Sequence, residues 1–292
     1  MIDFTSIEQM LFDTEQSKLP LWENILLSDC HHQGITRERS LHEMETLLSA
    51  MEAADAGYCA KDRSRSGLVG GDGGKMADYA DSTPLCGPFL SDVMAGALRT
   101  AECNACMKRI VAAPTAGSCG VLPAVLLAYR RHRGVERNAL LHALYVASGF
   151  GSVIANRASL SGAEGGCQAE IGSAAAMVAT ALVQLEGGTP LQMAHACAMA
   201  VKNLLGLVCD PVAGLVEIPC VKRNVIGAMD ALSAAQMALA GIESRIPPDQ
   251  VLDAMREVGQ SLPPSLRETG KGGLAATPYG QEICAGLFHK NG

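Results

Sequence analysis

Large rings are scarce in this sequence: Phe, Trp and Tyr together make up 4% of its 292 residues, with a single tryptophan. Sheets and barrels are usually filled by aromatic and β-branched side chains, and no stretch here alternates apolar with polar residues as a half-buried strand does. Charge is short as well, at 18% Asp, Glu, Lys and Arg, against roughly 25% in an average soluble domain. What remains is rich in Ala, Leu, Val and Met, which suits helices that approach closely. The expectation is an all-α fold, one helical domain over residues 1–292 with short Gly- or Pro-containing connections, the stretches 1–35 and 274–292 being the candidates for peripheral segments.

Other absences narrow the function. There is no excess of positive charge, the net being −7, so neither a nucleic-acid backbone nor an anionic membrane is expected as main partner. Long apolar runs are missing too: the uncharged stretch Ile110 to Tyr129 is cut by Pro114, Gly117, Gly120 and Pro123, which reads as core rather than membrane span. Met1 to Thr5 carries no basic region leading into an apolar run, so no secretory signal is read and a cytoplasmic location is expected. The glycine-rich stretch Ser64 to Lys75 is not a phosphate loop, because the first required glycine is Val69 and Met76 stands where Ser or Thr is needed. It reads as a long loop that lets backbone approach something small.

Cysteine, by contrast, is abundant, with eleven residues. In a reducing compartment an odd number without a disulfide-scaffold spacing points to metal binding or catalysis, although most single cysteines are buried hydrophobes. Cys103-Asn104-Ala105-Cys106 is a CxxC with no second pair at zinc-site spacing and no βαβ surroundings, and it reads as incidental.

Apolar periodicity predicts helices over 40–56, 89–112, 121–133, 138–148, 168–186, 191–208, 221–242 and 249–261. Three cysteines then fall at helix ends: Cys167 opens one, Cys209 closes one before Asp210-Pro211, and Cys220 opens one after Pro219. A helix N-terminus favours a thiolate, so Cys167 and Cys220, with Lys222 and Arg223 close by, are candidate metal ligands. Helix-end placement alone does not single out this trio.

The strings around these residues are more specific. Ser161-Gly162-Ala163-Glu164-Gly165-Gly166-Cys167-Gln168-Ala169-Glu170 and the run Lys202 to Asn224 resemble the α chains of bacterial iron-sulfur L-serine dehydratases. So do Ser66 to Asp72, Ala113 to Ser118, and Arg267 to Ala275, and the likeness extends from about Ser40 to Gly280. The resemblance implies an all-helical fold, a [4Fe-4S] cluster held by Cys167, Cys209 and Cys220, and conversion of L-serine to pyruvate and ammonia without pyridoxal phosphate. It also implies a substrate pocket in which Thr115 and Ser118 grip the carboxylate, Lys75 supplies charge or a base, and Ser161 and Gln168 flank a ligand. Each of these five also fits a turn or capping role.

The family's Ser-Ser-His-Thr-like substrate loop has no counterpart in this sequence, so a separate β subunit is expected. In some relatives a C-terminal cysteine caps the open iron. Cys284 has different flanks and is not expected to do so. An L-cysteine desulfidase-like lyase, a non-catalytic iron-sulfur sensor subunit and a structural zinc protein are the competing readings.

Overall fold

The computed structural model describes residues 4–289. Met1 to Asp3, read above for a signal, and the closing Gly292 lie outside them. Thirteen α-helices form among the described residues and no strand does, so the all-α expectation holds. Among the described residues the single backbone bridge is parallel and joins Cys209 to Arg267.

Helix α9 (Ser173–Leu185) is the axis, and every residue from Ser173 to Val183 is buried. Its alanines let four helices close on it: α6 (Val121–Arg133), α7 (Arg137–Arg157), α10 (Pro190–Asn203) and α11 (Cys220–Leu239). A side chain at Gly227 on α11 would come within 2.8 Å of Ile171 Cγ2, so only glycine lets α11 lie that near the segment before α9. α7 is long and apolar enough to cross a membrane by length and composition, and 72% of its most apolar window is buried in the bundle.

Several expectations are corrected. The stretch before Thr36 is not a loose end: α1 (Ile7–Ser17) and α2 (Leu21–Gln33) bury Ile7, Met10, Leu21, Ile25 and Leu26. The Asp249 carboxylate, in the first turn of α12 (Pro248–Ser261), accepts the amides of Ile7 and Glu8 at 2.9 and 3.0 Å, capping α1 from a helix 241 residues away. Ile25→Ala is expected to cost about 2–5 kcal/mol in chemical denaturation, since Ile25 is fully buried. A loss within about 0.5 kcal/mol, typical of surface changes, would show α2 to be dispensable.

α7 runs on to Arg157, past the expected end at Ser148, because Gly149 and Gly151 are contact points rather than breaks. A side chain there would meet Ile25 and Met177 at 2.5 and 2.9 Å. α5 (Gly87–Ala105) stops short of 112, where Met107 takes φ 60° and the Lys108 amide turns back to Cys103 O at 2.9 Å. The glycine loop ends early too, because α4 (Asp72–Ala80) starts within it. The buried Glu102 carboxylate on α5 accepts the Asp72 and Gly73 amides at 2.8 and 3.1 Å, supplying a cap that the local sequence lacks. α3 (Arg37–Ala56) and α12 fall close to their expected bounds.

One half-buried carboxylate sits where α10 meets α11. Asp230 Oδ1 accepts Asn203 Nδ2 at 2.6 Å, while Oδ2 is buried without a partner. Burial raises its pKa from 3.8 to about 6, the Asn203 amide opposing. Below 3.8 folded and unfolded chains both hold the proton. As pH rises towards 6 the unfolded chain loses it first, so stability falls through that window and stays lower above it. Asp230→Asn is therefore expected to raise stability at pH 8 by on the order of 1–3 kcal/mol, seen as a higher melting point, and to leave it nearly unchanged near pH 4. An equal gain at both pH values would rule out ionisation as the cause.

Candidate active site

The three helix-end cysteines converge, though not all as expected. Cys167 caps a single π-turn, Gln168–Gly172, that leads into α9, the kind of irregular turn that often marks a functional site. Cys220 is the first residue of α11. Cys209, however, does not close a helix: α10 ends at Asn203, and Cys209 lies beyond it in extended backbone. Its amide donates to Leu266 O and its carbonyl accepts the Glu268 amide, both at 2.8 Å. The chain around Arg267 thus clamps Cys209 by its main chain and leaves the sulfur free to face the other two.

All three thiols are free and buried. Burial pushes Cys167 up to about 11 and Cys220 up to about 12, and raises Cys209 further, its thiol also feeling Cys167, Glu170 and Cys220. The thiolate expected from the helix N-termini at Cys167 and Cys220 is therefore overridden by desolvation, which the Arg223 guanidinium offsets only partly. Binding a metal group here must displace protons from neutral thiols.

A polar wall faces the sulfurs. Thr115 Oγ1 donates to Glu170 Oε1 at 2.7 Å and pairs with Ser118 Oγ at 3.0 Å. Burial raises the Glu170 carboxyl, Thr115 lowers it and Glu268 raises it. Gly162 completes the wall: a Cβ there would lie 2.9 Å from Glu170 Oε2, 3.1 Å from Cys209 Sγ and 3.3 Å from Glu268 Oε2. Asn224, 1% exposed, binds Gly117 O at 2.8 Å, Cys220 O at 3.0 Å and the Gly120 amide at 2.8 Å. It fastens the Thr115–Ser118 turn to the first turn of α11.

The remaining expected site residues divide. Gln168 is 1% exposed and committed at both ends, donating to Met255 O at 2.8 Å and accepting the Gly206 amide at 2.9 Å, so it ties the π-turn in place. Ser161 caps the short helix α8 (Gly162–Gly165), where its carbonyl accepts the Glu164 and Gly165 amides. Lys75 stands apart, with its side chain 79% exposed and paired to Asp72 at 2.9 Å, an aspartate that Lys222 also approaches at 3.5 Å. Glu170, Glu268, Asp210 and Asn224 were not singled out in the sequence. All four lie in the resembling strings, but nothing in their spacing announces that Glu170 and Glu268 meet at Gly162 or that Asp210 and Asn224 brace the segments around them.

The CxxC does not join this group. Cys103 is buried with its thiol towards Ala54 O at 3.6 Å, Cys106 ends α5, and burial raises both. Among the described residues no three His, Cys, Asp or Glu side chains are spaced to hold a single metal ion. A four-iron cubane sets its thiolates further apart than one ion does. Three buried soft thiols, a neighbouring guanidinium and a wall bare of side chain at Gly162 fit such a cluster.

The profile of the family described as serine dehydratase alpha chain matches residues 16–275. The chain is 47% identical over 286 residues to the probable L-serine dehydratase, alpha chain, of Bacillus subtilis (strain 168), covering 98% of this chain and 95% of that one. It is 57% identical over 200 residues to the protein of the same description in Latilactobacillus sakei, covering 68% and 96%. Against L-serine dehydratase 2 of Escherichia coli (strain K12) identity is 47% over 181 residues, covering 61% of this chain and 40% of that one.

Proposed function

The chain belongs to the serine dehydratase alpha chain family, and from that membership we propose that it is the α chain of a [4Fe-4S]-dependent L-serine dehydratase of the cytoplasm, working with a separate β chain to convert L-serine to pyruvate and ammonia. The observation that carries the cluster reading is that three buried free thiols, Cys167, Cys209 and Cys220, lie near enough to act on one another, with Cys209 Sγ at the bare wall at Gly162. Those cysteines would hold the cluster, which when bound supplies an iron without a cysteine ligand, a Lewis acid for the serine hydroxyl.

The chain's own residues do the rest. The Thr115–Ser118 turn, pinned by Asn224, presents hydroxyls and amides to the serine carboxylate and orients the hydroxyl towards the sulfurs. Glu170, its carboxyl raised by burial and its Oε2 close to Cys209 across Gly162, is the group placed to give a proton to the departing hydroxide. A base takes the α proton as the hydroxide leaves as water, which gives the enamine; this tautomerises to the imine and takes up water to give pyruvate and ammonia. The β chain would contribute the histidine-bearing loop that this sequence lacks, which is why the α chain alone is expected to be inactive.

The test is anaerobic reconstitution of the α chain with iron and sulfide, followed by mixing with its β chain and assay of L-serine and L-cysteine side by side. Pyruvate from serine in excess over sulfide from cysteine is expected. Faster sulfide release would make the protein a cysteine lyase instead, and no turnover of either by the loaded pair would favour a sensor subunit.

A further inference from the structure

Arg223 touches the segments of all three cysteines. It lies on α11, just under one turn after Cys220. Its two terminal nitrogens donate to Val208 O at 2.7 Å and to Asp210 Oδ1 at 2.9 Å, gripping the residues on either side of Cys209. The same guanidinium lies near enough to Cys167 for its positive charge to act on that thiol. Asp210 passes the constraint on, its Oδ2 accepting the Leu274 amide at 2.9 Å. Little water screens this pair, the side chains of Arg223 and Asp210 being 16% and 4% exposed. The adjacent Lys222 cannot take over, because its side chain is 78% exposed and turned towards Asp72.

Resting on the cluster reading above, we propose that Arg223 is a positioning residue for the cluster: it sets the three cysteine segments in place before iron arrives and keeps a positive charge beside Cys167 afterwards. The two contributions are separable. The fork of donors governs how tightly the cluster is held, since groups that orient metal ligands typically matter 10- to 100-fold for affinity. The charge governs reduction potential, because a nearby cation favours the form with one more electron.

Arg223→Gln and Arg223→Lys, reconstituted anaerobically, test both. Arg223→Gln is expected to lose iron to a chelator about 10- to 100-fold faster than wild type, with its midpoint potential moved to more negative values. Arg223→Lys is expected to recover the potential while still losing iron faster, because one ammonium cannot span Val208 O and Asp210 as a fork does. If Arg223→Gln does not fold, Asp210→Asn carries the test: it loosens the fork and removes the anion that offsets the guanidinium, so faster iron loss with a potential moved to more positive values is expected. Folded variants with wild-type loss rates and potentials would overturn the role of Arg223. A wild-type chain that takes up no iron and sulfide would instead overturn the cluster reading itself.

Discussion

Cys209→Ser, Cys167→Ser or Cys220→Ser is expected to abolish the visible absorption of the reconstituted chain and to bring pyruvate formation with the β chain down to background. A serine hydroxyl is a harder ligand than a thiol and does not ionise within reach of neutral pH, so it cannot replace a thiolate on iron. Because all three thiols are already neutral and buried without iron, a near-isosteric hydroxyl should leave the apo fold standing. Unfolding free energies of the metal-free variants should stay within about 1–2 kcal/mol of wild type, an unmet hydroxyl in a buried site costing about that much. Cys103→Ser and Cys106→Ser serve as controls, since those thiols end α5 away from the trio, and both are expected to keep the cluster. Loss of the cluster in that pair, or its retention in any of the first three, would move the metal site elsewhere.

The second large effect is expected at Gly162. Its missing side chain is the one place where Cys209, Glu170 and Glu268 all come within 3.3 Å of a position that any other residue would fill. Gly162→Val adds branched bulk there, displacing the Glu170 carboxylate or the Cys209 sulfur and narrowing the space in front of both. Pyruvate formation is expected to fall at least about 100-fold, as a misplacement of about 1 Å can produce. Gly206→Val is the comparison. A Cβ at Gly206 meets no atom within 4 Å, so its change, though strained by φ 83°, should cost stability more than turnover. Full activity in Gly162→Val would mean that the wall does not border the reacting groups.

What could be read from residue order has a physical boundary. Local signals are reliable where the cause is local: α12 and α6 end near where periodicity puts them, and α10 starts on a capping box of Thr189 and Gln192 with Pro190 as its first residue. They failed where the cause lies far along the chain. The start of α4 inside the glycine loop depends on Glu102, 30 residues on, and Gly149 reads as a break in α7 until Ile25 is brought against it. Helix continuation was over-read at Cys209, which instead takes its backbone partners from Leu266 and Glu268.

The site shows the same division. Helix-end logic found Cys167 and Cys220 for a reason that burial then outweighs, and it misplaced Cys209. The family-like strings marked the trio and the Thr115–Ser118 turn without explaining either. Only the folded chain reveals that Glu170 shares a wall with them, that Gln168 is consumed as a tie, and that Lys75 pairs with Asp72 in solvent.

The most direct measurement is Mössbauer spectroscopy of the anaerobically reconstituted α chain with its β chain, before and after L-serine, together with iron and acid-labile sulfide analysis. With three cysteine ligands, about four iron and four sulfide per chain are expected, and serine should change the signal of one iron while the other three hold theirs. Zinc without sulfide, or four irons that all ignore serine, would contradict a cluster-bearing serine dehydratase.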